Sequence, residues 1–235
     1  MGRALRLLLL AATLASTACT TLSPAKRDAA AHIAVAARST EIVCERADAC
    51  ATPSPLRELG VDAIARSTPE APRHHALLLE YGQDALLARL DLIRGAQRTI
   101  DLQTYIFDED DAGHLVLEEL LAAARRGVQV RLLVDQLSAM RTVETLSALA
   151  GGHTNFELRI YNPVLGRARI SYPRYVVAAA CCWRRLNQRM HSKSLVVDGV
   201  VGITGGRNYQ NSYYDWDPEY NFRDRDLFVA GPTVA

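Results

Sequence analysis

DALLARLDLIRGAQRTIDLQTYIFDEDDAGHLVLEELLAAARRGVQVRLLVD, residues 84–135, switches repeatedly between a helical and an extended apolar period. Leu86, Leu87, Leu90 and Ile93 recur at helical spacing, with Asp84 placed to cap the helix. From Thr99 to Phe107 the period falls to two. Ile100, Leu102, Thr104 and Ile106 take one face, and Asp101, Gln103 and Tyr105 the other. A second helix is expected on the stripe Leu117, Leu120, Leu121 and Ala124, capped by Asp111 and stopped by Gly127. Val128 to Asp135 alternates little, as a central strand covered on both faces does.

The pattern continues outward with a short helix over Thr142 to Ala150 and a strand over Phe156 to Tyr161. Strand, helix, strand, helix, strand implies a layered α/β fold with a mixed, mostly parallel sheet flanked by helices. Ligands of such sheets favour the carboxyl ends of the strands, where Tyr105 and Asp135 fall. Both are candidate pocket residues, and both are equally consistent with structural roles. Pro163 to Trp183 mixes Arg167, Arg169 and Arg174 with Tyr172, Tyr175, Val176 and Val177. It reads either as a lipid-facing or substrate-facing loop or as an insertion packed on the core.

The chemistry concentrates in MHSKSLVVDGVVGITGGRN, residues 190–208. On a strand, residues two apart point the same way, with Cα atoms about 6.5–7 Å apart. His191 and Lys193 therefore face one substrate together. Asp198-Gly199 is a tight-hairpin signal, and Val200 to Thr204 returns as a second strand. Gly205-Gly206 allows backbone to approach a pocket, and Asn208 adds an amide donor. A phosphodiester needs positive charge and donors on its oxygens in the transition state, which Lys193 and Asn208 supply without a metal. An imidazole, with an ordinary pKa of about 6.5, is largely neutral near pH 7 and can attack phosphorus, given a carboxylate on its other nitrogen.

Composition sharpens this. The chain has 25 Arg and only two Lys, Lys26 and Lys193, so a lysine here is a specific choice of compact ammonium over planar fork. A net charge of +1 argues against a broadly basic nucleic-acid platform and leaves room for a local basic groove. No Cys or His spacing suits a metal, and no cofactor is implied. Cys44 and Cys50 are spaced to close a small loop in an oxidising compartment, whereas the adjacent Cys181 and Cys182 read as buried thiols.

The segment 190–208 resembles the phospholipase D superfamily signature H-x-K-x4-D-x6-G-[GS]-x-N at every defined position: His191, Lys193, Asp198, Gly205, Gly206 and Asn208. TIDLQTYIF, LLAAARRGVQVRLLVD and NFRDRDLFVAGP extend a resemblance to the N-terminal half of bacterial cardiolipin synthases of the C type, from about Asp84 onward. The resemblance implies a phospholipase D-like fold and phosphatidyl transfer or hydrolysis through a phosphohistidine. His191 would be nucleophile or acid/base partner, and Lys193, Asn208, Gly205 and Gly206 would hold the phosphoryl group. Asp198 would organise the catalytic motif, and Asp224 would orient the histidine, with Asp226 in competition for that role. The substrate would be a membrane phospholipid, not nucleic acid. An endonuclease of the same superfamily, or an inactive lipid-binding half-domain, is the alternative.

Family members of this type join two such motifs, and no second H-x-K occurs in these 235 residues. Either the chain is a fragment, or two copies pair about a two-fold axis and pool their histidines. At the N-terminus, Arg3, Arg6 and the apolar run Leu7 to Leu14 read as an export signal, and Ser16-Thr17-Ala18 before Cys19 resembles a lipobox. The expected organisation is therefore a signal over 1–19, lipidated at Cys19, cleaved at the small residues or kept as an uncleaved anchor. A linker or ancillary stretch over 20–75 and the catalytic domain over 76–235 follow, in a bacterial cell envelope.

Overall fold

The computed structural model describes residues 23–137, 143–232 and 234. The expected export segment with Cys19 lies outside the described residues, as does Thr142. The chain divides into two compact units, Met1–Ala37 and Arg38–Ala235. In the first, helix α1 (Pro24–Ala36) starts on Ser23, whose hydroxyl accepts the Lys26 N–H at 3.4 Å.

The second unit takes in much of the proline-punctuated stretch read as a linker. One of its prolines marks a start rather than a gap. Pro55 opens helix α2 (Pro55–Ala65), and the Ser54 hydroxyl caps Arg57 N–H at 3.0 Å while donating to Asp91 at 2.6 Å. Cys44 and Cys50 are joined in a disulfide, as their spacing suggested. There follow β1 (His75–Leu79), α3 (Gly82–Gly95), β2 (Thr99–Thr104), α4 (Asp111–Arg125), β3 (Gln129–Asp135), α5 (Val143–Gly152) and β4 (Phe156–Tyr161). Beyond them lie α6 (Tyr172–Cys181), α7 (Trp183–Asn187), β5 (Ser194–Val197), β6 (Val201–Gly205) and β7 (Asp226–Ala230).

The seven strands form one mixed sheet in the order β1-β7-β6-β5-β2-β3-β4. The parallel share is smaller than expected. Only β2–β3 and β3–β4 run parallel, and the other four pairings are antiparallel. Helical crossovers make parallel pairs, but the chain after β5 returns through the three residues 198–200, which can only make an antiparallel one. Ile100, Leu102, Val130, Leu132, Leu195 and Ile203 face the helices and are buried. The opposite face, with Asp101, Gln103, Arg131 and Arg159, lines an open groove.

Three local expectations shift. Helix α3 starts at Gly82, whose N–H donates to Asp215 at 2.9 Å, so Asp84 sits in the first turn rather than at the cap. Asp110, not Asp111, caps α4, accepting Gly113 N–H at 3.0 Å. Cys181 and Cys182 are not buried thiols. Helix α6 ends between them, and they are joined in a disulfide on the surface.

The β5–β6 hairpin turns on Asp198 (φ 54°) and Gly199 (φ 69°), two left-handed residues in succession. The Asp198 carboxylate accepts Gln97, Arg98 and Thr99 backbone N–H groups at 3.1, 2.7 and 3.0 Å, and Arg57 Nε at 2.6 Å. Burial by itself would raise its pKa, but Thr99, Arg57, Arg98 and Gln97 together hold it below the usual carboxylate range. A group with a depressed folded-state pKa stabilises the fold above its unfolded pKa of about 3.9, and that stability is lost as pH falls through the folded value. Asp198→Asn should cost roughly 2–4 kcal/mol at pH 7. The variant's urea midpoint should also lose most of the wild type's decline below about pH 4. An unchanged acid slope would remove Asp198 from this role.

Candidate active site

Strand β5 begins at Ser194, so His191 and Lys193 lie in the extended approach to the strand rather than within it. Their side chains nevertheless converge. Lys193 Nζ lies 3.1 Å from Nδ1 and 3.2 Å from Nε2 of His191, and donates to the His191 carbonyl at 2.8 Å. The imidazole is exposed and the lysine is 5% exposed, so the ammonium supports the ring from the protein side. Burial lowers the Lys193 pKa, and the Asp224 carboxylate acts in the opposite direction. The Lys193 carbonyl accepts the Thr204 hydroxyl at 3.1 Å, which ties the histidine-bearing segment to β6.

Tyr105 follows directly on β2, and its ring lies 5.1 Å from the His191 ring and 5.7 Å from Lys193 Nζ. Of the two strand-end candidates it alone reaches the site. Asp135 is fully buried. It accepts Met190 N–H at 3.0 Å and Arg189 at 3.1 Å, so it anchors the start of the motif instead of lining a pocket.

Asn208 is 2% exposed, and its Oδ1 is already committed. It accepts Ile106 N–H at 2.9 Å and the Thr104 hydroxyl at 3.4 Å, which fixes the amide and directs its Nδ2 side away from β2. Tyr213, buried next to it, has its hydroxyl pKa raised by burial, with a hydrogen bond to Asn208 partly opposing. Neither Thr104 nor Tyr213 was legible as a site residue. Their contacts join positions about a hundred residues apart in one case and a short helical turn after the motif in the other.

Gly205 and Gly206 have a more specific reason than free approach of backbone. A Cβ on Gly206 would collide with the Asp224 carboxylate, and one on Gly205 with Asp226 and the Arg225 carbonyl. The two acids press on successive glycines but do different things. Asp226 is 1% exposed and lies between Arg89 and Arg207, at 3.0 and 3.3 Å. Asp224 is half-buried, and its charge opposes the burial that lowers the Lys193 pKa and adds to the burial that raises the Tyr213 pKa. Asp224 is therefore the acid on the site side, and Asp226 is structural. Asp198, placed with the catalytic residues by its position in the signature, meets Thr99 at one end of β2, whereas Asn208 meets Thr104 at the other. It acts on the hairpin, not on substrate. Gly206→Ala should displace Asp224 and lower kcat/KM in an assembled site about 10²-fold. Its melting temperature should stay within a few degrees of wild type, and full activity in this variant would detach Asp224 from the chemistry.

Among the described residues, no group of three His, Cys, Asp or Glu is arranged to hold a metal ion.

The family model for the cardiolipin synthase PLD-like domain matches residues 90–230. The chain is 41% identical over 172 residues to an uncharacterized protein of Helicobacter pylori J99, covering 73% of this chain and 34% of that one. It is 40% identical over 156 residues to cardiolipin synthase C of Escherichia coli K12, covering 66% and 32%. It thus spans about a third of the length of these curated relatives. Among solved structures, NucT from Helicobacter pylori superposes with a TM-score of 0.48 at 15% identity, covering 68% of this chain and 87% of that one.

Proposed function

Because the chain belongs to the phospholipase D superfamily, in the family of the cardiolipin synthase PLD-like domain, we propose that the surface around His191 is one half of a phosphatidyl-transfer site for membrane phospholipid. The observation that carries this reading is the meeting of an exposed imidazole with a buried ammonium at 3.1–3.2 Å. That pair offers a nucleophile to solvent and a fixed positive charge beside it.

One His191 ring nitrogen attacks phosphorus, and the P–O bond to the head-group alcohol breaks. A second imidazole, from another motif-bearing half, donates a proton to the departing alkoxide. The phosphatidyl group then rests on His191. An incoming alcohol gives its proton to that second imidazole and attacks phosphorus, and the P–N bond breaks. A glycerol hydroxyl of another phospholipid yields transfer, and water yields hydrolysis. Lys193 and the Asn208 Nδ2–H group stabilise the non-bridging oxygens as charge builds on them. The protein works in a bacterial envelope, exported by its N-terminal segment and held there through Cys19.

The test offers two substrates to the chain, alone and mixed with the second half of a two-motif relative: monodisperse short-chain phosphatidylglycerol and duplex DNA. Head-group release from the lipid, rising on addition of the second half, is expected. Cleavage of DNA with no lipid turnover would replace this reading with a nuclease.

A further inference from the structure

We propose that the surface formed by residues 163–189 is a docking face for an anionic phospholipid bilayer, set beside the catalytic histidine. The proposal deepens the reading of the substrate as membrane lipid. It rests on charge and on exposure in the same segment.

Between Leu158 and Val197 there is no Asp or Glu, and there are eight Arg and Lys residues. The whole chain has a net charge of +1, so the residues outside this stretch sum to −7. Arg159 pairs with Glu157, Arg189 with Asp135, and Lys193 belongs to the site. Arg167, Arg169, Arg174, Arg184 and Arg185 have no carboxylate partner among the described residues. Five uncompensated guanidinium groups on one segment are a footprint for a negatively charged surface.

The same segment turns apolar side chains to water. Helix α6 is anchored by Ala178, which is fully buried with Val164 and Leu186. Its other sides present Tyr172 (81% exposed), Tyr175, Val176 (53%) and Val177 (55%), and Trp183 (62%) follows at the start of α7. A surface helix ordinarily puts polar residues outward. Here the outward positions are aromatic and aliphatic, flanked by arginines, as in helices that lie in a bilayer interface. Tyr and Trp favour the headgroup level, and each arginine there gains from anionic lipid. Single-stranded nucleic acid would also use arginines and aromatic rings, but it gives outward valines no stacking partner.

The segment is tied to the site at its end. Asn162 Nδ2 donates to the Arg185 and Gln188 carbonyls at 2.6 and 2.8 Å, and Asp135 holds Arg189 and Met190 N–H. A bilayer resting on α6 and α7 therefore lies within reach of His191, two residues beyond Arg189.

Docking is read without turnover in the full-length chain carrying His191→Ala and Trp216→Phe, so that Trp183 is the lone tryptophan. Vesicles are equal mixtures of phosphatidylglycerol and brominated phosphatidylcholine, or brominated phosphatidylcholine alone. Trp183 emission should shift to the blue and be quenched by the mixed vesicles at tenfold or more lower lipid concentration than by the neutral ones. Changing Arg167, Arg169, Arg184 and Arg185 to Gln should abolish that preference, at up to about fivefold per arginine. A chain with Trp183→Phe, reporting from Trp216, should be quenched far less. Unquenched Trp183, equal quenching by both vesicles, or an emission change with duplex DNA alone would overturn the proposal. Turnover of monodisperse lipid without docking would sink this inference and leave the proposed function standing. Docking without turnover of that lipid would do the reverse.

Discussion

His191→Gln, assayed in a site completed by a second motif-bearing half, should lower kcat by roughly 10⁴–10⁶-fold, because a nucleophile acts with its partners as one unit. Glutamine retains hydrogen-bonding capacity near Lys193 but offers no nitrogen lone pair able to attack phosphorus. Substrate bound through Lys193 and Asn208 should therefore be retained, and KM should change far less than kcat. A phosphodiester labelled on phosphorus should leave label on the wild-type chain, stable to base and released by acid, as a P–N bond is. The Gln variant should carry none. Label found on the other half while this chain bears Gln would move the nucleophile to that half and make His191 the acid, and label that stays on the Gln-bearing chain itself would remove His191 from the assignment. Lys193→Arg separates the charge from its shape. It keeps one positive charge but replaces a compact ammonium, set against the imidazole and near the Tyr105 ring, with a planar fork.

What could be read from sequence was local in the chain. The alternation of Ile100 and Leu102 with Asp101 and Gln103 appears in the sheet as one buried and one open face, and Phe156–Tyr161 is a strand with the expected bounds. Asp198-Gly199 is the expected turn. The site's supports were not legible, because they join distant segments. Asp110 caps α4 while its other oxygen accepts Asn211 N–H at 2.6 Å, and Arg207 reaches the Leu79 and Glu80 carbonyls at 3.0 and 2.6 Å. The glycine pair is the instructive case. Spacing identified Gly205 and Gly206 as places of close approach, but only the folded chain shows that their neighbours are two carboxylates from a later strand and its lead-in.

Those two carboxylates should separate cleanly by experiment. Asp226 is buried against Arg89 and Arg207, and no pH near neutrality discharges a guanidinium. Asp226→Asn leaves two buried cations with no carboxylate: Arg89 keeps the Ala85 carbonyl and the side chains of Tyr209 and Tyr214, and Arg207 keeps the Leu79, Glu80 and Tyr213 carbonyls. Removing one partner of a buried ion pair typically costs about 3–5 kcal/mol. In a unit of this size that corresponds to a melting temperature lower by roughly 6–20 °C. The damage should appear first where β1 meets β7, since Leu79 pairs with Asp226 in the sheet and its carbonyl holds Arg207. Asp224→Asn removes a half-buried charge whose electrostatic neighbours are Lys193 and Tyr213. Stability should change by no more than about 1 kcal/mol, while turnover falls and its pH profile moves. Thermal melts and pH–rate curves on the two variants decide the assignment. If Asp226→Asn melts like wild type while Asp224→Asn unfolds early, the two roles are reversed.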